Sequence, residues 1–104
     1  MSDSRTPAAG SSRCAVKVLR VGGAEELLEL PRHGLLTAIR SLLGCEMVDT
    51  VNLRDGTIMI VDDEGHLAGK PRNEAATARY QAVTRPGSNW IAGDVAIAID
   101  EDFA

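Results

Sequence analysis

The sequence predicts an α+β domain: a mixed or antiparallel sheet of about five strands carrying two helices. Three observations lead there. A β-branched run follows Cys14, an apolar stripe at helical spacing runs from Leu35 to Leu43 and stops at Gly44, and two apolar runs are joined by Arg54-Asp55-Gly56. A chain of 104 residues has room for one domain of this kind.

Residues 1–13, rich in Ser, Thr, Pro and Gly, have no apolar periodicity and are expected to be a disordered leader. The domain proper is expected over residues 14–100, with residues 101–104 as an acidic tail. Its first strand is Ala15-Val16-Lys17-Val18-Leu19-Arg20-Val21, closed by the Gly22-Gly23 turn. Residues 25–30 (EELLEL) have helical propensity, but six residues between a glycine pair and Pro31 are too few for a stable helix, so they are read as a second strand. Leu35, Leu36, Ile39, Leu42 and Leu43 form one stripe of a 3.6-residue repeat, and Gly44 stands where a C-terminal helix glycine belongs. Residues 47–53 and 57–61 make a hairpin, because Asp55-Gly56 tolerates the positive φ of a tight turn. A second turn, Asp62-Asp63-Glu64-Gly65, leads to His66-Leu67-Ala68-Gly69. Asn73 is a suitable N-cap, Glu74 suits the positive end of a helix, and residues 75–83 are rich in alanine. Residues 90–99 are read as the last strand, in which Val95, Ile97 and Ile99 alternate with Ala96 and Ala98. The small face allows a helix or another subunit to approach closely. A core this small and aliphatic predicts homo-oligomerisation.

Composition excludes several function classes. No apolar run nears the roughly 18 residues that cross a bilayer, and the first thirteen lack the apolar stretch of a signal peptide, so a cytoplasmic protein without membrane contact is expected. The last eleven residues hold four acids and no base, which equals the whole net charge of −4 and opposes duplex nucleic acid. Cys14 and Cys45 form no C-x-x-C pair and read as inert thiols. Only His33 and His66 could act as an imidazole base, and no nucleophile motif frames a serine, so an enzyme is not expected. Asp62, Asp63, Glu64 and His66 lack calcium-loop or zinc spacing and read as a charged turn; no cofactor or metal is expected.

One segment stands apart. Between Gly65 and Gly93 the charges are Lys70, Arg72, Arg79 and Arg85 against Glu74 alone, and the same stretch holds Tyr80 and Trp90. A helix starting at Asn73 beside Lys70 and Arg72 would offer free N–H groups and positive potential to an anion. With Thr77, Arg79, Tyr80 and Trp90 on the same cleft, a base could stack while phosphates met the cations. The structural reading of the same residues is equally physical: Asn73 an ordinary cap, Tyr80 and Trp90 core, the cations balancing the acidic tail.

The strand, the helix ending at Gly44, the hairpin Leu53-Arg54-Asp55-Gly56-Thr57-Ile58-Met59-Ile60-Val61, then Asp63-Glu64-Gly65-x-Leu67-x-Gly69-Lys70-Pro71-x-Asn73-x-x-Ala76-Thr77 and Ile91-x-Gly93-Asp94-Val95 resemble a known family over about residues 14–100. It comprises small proteins of actinobacteria, plasmids and phages and is catalogued only as a domain of unknown function. The resemblance supplies no activity; it implies that the cationic, aromatic segment is the family signature and that the setting is mobile DNA. Two functions are therefore expected to compete. The first is a non-enzymatic binder that sequesters a phosphate-bearing, nucleotide-like signal, as an accessory or anti-defence protein, through Lys70, Arg72, Asn73, Thr77, Arg79, Tyr80 and Trp90. The second is an interaction module or inhibitor that engages a protein partner through Asp94, Asp100, Glu101 and Asp102 or a sheet face.

Overall fold

The structure is a computed structural model and describes residues 13–84 and 89–99. The expected leader and the acidic tail lie outside the described residues, apart from Arg13, which opens the first strand instead of closing the leader. Five strands and two helices follow in chain order: β1 (Arg13–Leu19), β2 (Glu25–Pro31), α1 (Leu35–Leu43), β3 (Val48–Asn52), β4 (Thr57–Asp62), α2 (Glu74–Val83) and β5 (Val95–Ile99). The strands form one antiparallel sheet in the order β2-β1-β5-β4-β3.

The strand alternation sorts the core into two halves. On one face Cys14, Val16, Val18, Ile58, Ile60, Ala96 and Ala98 meet Leu35, Ile39 and Leu43 of α1. The chain leaves one edge of the sheet at β2 and re-enters at the opposite edge with β3, so α1 has to pass over this face. Central β5 offers it only alanine methyls. Gly44 ends the helix in the left-handed conformation at φ 67°, with the Cys45 N–H bonding back to the Arg40 carbonyl. Ala96 is fully buried between the register neighbours Val18 and Ile60. Ala96→Leu would force α1 away from the sheet, and chemical denaturation is expected to show a loss of about 1–3 kcal/mol.

On the other face Leu19, Leu53, Met59, Val61, Ile91 and Val95 pack with Ala76, Tyr80 and Val83 of α2. Those three helical positions form the stripe that an alanine-rich sequence conceals. The last strand is shorter than its sequence implies. Residues 90–94 leave the sheet and run beside residues 71–73: Asn73 N–H donates to the Ile91 carbonyl at 2.8 Å and Gly93 N–H to the Pro71 carbonyl at 2.8 Å. Gly93 at φ +85° makes the bend.

Candidate functional site

The segment that stands apart in the sequence is a knot of loops at one end of the sheet. Residues 62–69 coil tightly: the Asp62 carboxylate accepts the Glu64 N–H at 2.9 Å, Ala68 N–H reaches the Glu64 carbonyl and Lys70 N–H the Gly65 carbonyl. Gly65 lets this coil press against residues 90–93, since a Cβ there would lie 2.9 Å from the Ala92 carbonyl oxygen. Behind the contact, Asn73 is fully buried. Its amide donates to the Leu19 and Gly93 carbonyls, both at 2.9 Å, and its side-chain oxygen caps α2 by accepting the Ala76 N–H at 3.1 Å. The Thr77 hydroxyl accepts the Ile91 N–H at 2.9 Å. Asn73 and Thr77 thus spend their polar groups on joining α2 to β1 and to residues 91–93.

The cations expected beside them go to separate places. Lys70 turns away to the other face, where its ammonium lies 2.6 Å from Asp62 Oδ2 and 3.4 Å from the Leu43 and Gly44 carbonyls at the end of α1. There it serves the negative end of that helix. Arg72 pairs with the exposed Glu74 at 3.1 Å. Arg79 lines a different groove, described below. Of the seven residues singled out, Tyr80 and Trp90 meet at one cavity.

That cavity has a volume of about 160 Å³. It is lined by the apolar Val51, Val61, Ile91 and Ala92, by the aromatic Tyr80, Trp90 and His66, and by the polar Asp49, Asp63 and Asn89, with Asp62 completing the wall while its carboxylate faces Lys70. His66, read from sequence as a solvated residue, is exposed yet engaged. Its Nε2 is 2.7 Å from the Trp90 carbonyl oxygen, and its ring centroid is 4.1 Å from that of Trp90, with the planes at 37°. Asp49 is the residue sequence reasoning missed: it lies on edge strand β3, opposite Val61 in register, forty-one positions from Trp90. Among the described residues lining the cavity there is no Lys or Arg. Among the described residues, too, no group of three or more His, Cys, Asp or Glu is placed to hold a metal ion.

Nearby, burial pushes the Cys45 thiol up, with the Asp62 charge adding to the effect, so it stays protonated at neutral pH and is a weak nucleophile. Asp94, one of the acids assigned to partner capture, accepts Arg20 Nη1 at 2.8 Å and the Val21 N–H at 2.9 Å. The Arg20 guanidinium is raised by its hydrogen bonds to Glu26 and then Asp94. No described helix is long and apolar enough to cross a membrane.

Compared with known proteins, the chain has no match among curated proteins and none among solved structures. A family model described as a domain of unknown function (DUF3846) matches residues 15–104.

Proposed function

The chain belongs to the DUF3846 family, whose description assigns no activity, and from the cavity we propose that it is a non-enzymatic binder of a small, flat, amino-bearing heteroaromatic molecule such as a nucleobase or nucleoside. One observation carries this reading: Tyr80, Trp90 and His66 line a single cavity together with Asp49 and Asp63. Aromatic faces stack a flat ring, and carboxylates accept from its exocyclic amines. The volume of about 160 Å³ is below the ~300 Å³ at which pockets begin to enclose drug-sized ligands. A single ring system fits inside and a whole nucleotide does not. The phosphate expected from the sequence would have to stay outside, because Asp49 and Asp63 repel it and Lys70 and Arg72 are engaged elsewhere. In the cytoplasm, in the mobile-DNA setting that the resemblance implies, such a binder would act as an accessory or anti-defence protein by sequestering a signal. The interaction-module reading draws less support from the geometry, since the Asp94 carboxylate is already held by Arg20 and Val21.

Trp90 is the only tryptophan in the chain, so its fluorescence reports on the cavity directly. Titration with adenosine and cytidine is expected to give a saturable change, with inosine and uridine weaker because they turn a carbonyl toward the carboxylates. Losing a charge-assisted hydrogen bond through Asp63→Asn should weaken adenosine by about tenfold or more. A flat response to all four nucleosides, or tighter binding by the 5′-monophosphates, would overturn the proposal.

A further inference from the structure

Helix α2 leaves part of its face of the sheet open. Beside the helix, Ala15, Leu27, Ile97 and Ile99 form the apolar floor of a groove of about 280 Å³. Leu27 is 74% exposed and Ile99 47%, an unusual pair of large apolar side chains to leave in water on one face of a small domain. The walls carry charge in a particular pattern. On the β1–β2 side Lys17 pairs with Glu25 at 3.7 Å. On the opposite side Arg79 lies with Asp55, whose carboxyl is held below the usual range by hydrogen bonds from Thr57 and, more weakly, by the Arg79 charge.

We infer that this open part of the sheet is the docking surface for a second copy of the chain, related to the first by a two-fold axis over the groove. With that axis lying along the groove, one wall of each copy meets the opposite wall of the other. Lys17 then faces Asp55 of the second copy and Glu25 faces its Arg79. Each wall balances its charges, Lys17 with Glu25 and Arg13 with Glu29 on one side and Arg79 with Asp55 on the other, so the surface is complementary to itself and offers no net charge to a strongly acidic or basic partner. A contact balanced in this way adds no like-charge pairs to the repulsion between two chains of net charge −4. Face-to-face packing is favoured over edge-to-edge, because edge strand β2 carries Glu25, Glu26 and Glu29.

Sedimentation equilibrium on the full chain tests the inference. The expected result is a reversible dimer that Leu27→Lys converts to monomer while far-ultraviolet circular dichroism stays unchanged. Lys17→Glu should weaken the dimer about tenfold or more by opposing like charges, and adding Asp55→Lys should recover it. The inference is overturned if the chain is monomeric up to near-millimolar concentration, or if both Leu27→Lys and Ile99→Lys leave a dimer intact. Because the groove shares no residue with the cavity of Trp90, neither result depends on the ligand titration.

Discussion

Asn73→Ala is expected to lower the unfolding free energy by about 3–5 kcal/mol, the largest loss of any single side-chain truncation outside the aliphatic core. The side chain is fully buried and makes three hydrogen bonds, to the Leu19 and Gly93 carbonyls and from the Ala76 N–H. Truncation strands two carbonyls and one amide without water, each costing about 1–3 kcal/mol, partly relieved if the site relaxes. Against a total stability of about 5–15 kcal/mol, this is a large share of what holds the fold together. Asn73→Asp sharpens the test. It keeps the cap oxygen but replaces the donating amide with a carboxylate oxygen aimed at two carbonyls, so it should be no better than alanine. Urea denaturation with an unchanged slope checks both. A loss under about 1 kcal/mol for Asn73→Ala would show that the joint between α2, β1 and residues 91–93 does not depend on this side chain.

Lys70→Met is expected to cost about 3 kcal/mol, and the loss should be largely reversed by adding Asp62→Leu. The Asp62 side chain is 5% exposed and its partner ammonium is 2.6 Å away. Removing the cation leaves a buried carboxylate with no compensating charge, whereas removing both leaves an apolar contact of similar volume. A double-mutant cycle separates the two effects, and a coupling near zero would mean that the pair is solvated and structurally idle. The cycle also bears on function. If Lys70 held a ligand phosphate, its loss would appear in binding; the geometry places its effect in stability, through Asp62 and the end of α1.

Much of the architecture is legible in the order of residues because it depends on contacts between near neighbours. The stripe from Leu35 to Leu43 with its closing Gly44, and the turn at Arg54-Asp55-Gly56, are local signals, and each stands where its pattern puts it. In the second strand length outweighs helical propensity, and Glu25–Pro31 is a strand because Val16, Lys17 and Val18 are there to pair with it. Where residues 90–94 leave the sheet, the local pattern is extended and apolar, yet the backbone donors and acceptors are taken by residues 71–73 and by Thr77. No periodicity records such a partner.

The candidate site divides along the same line. Tyr80 and Trp90 could be singled out because aromatics are scarce in this chain, and the structure brings them to one cavity. That Asp49 and Asp63 share the cavity follows from the register of β3 with β4 and the coil after Asp62, which are long-range and conformational facts. The dispersal of Lys70, Arg72 and Arg79 has the same origin. Three cations close together in sequence read as one positive patch, but Lys70 went to Asp62 and the end of α1, Arg72 to Glu74, and Arg79, on α2, to the groove beside Asp55. The sequence by itself thus determined the class of fold, its helices and its hairpin. Only the tertiary structure decided which polar groups are spent on holding loops together and which still face open space, because a side chain's role is set by what lies within about 3 Å of it.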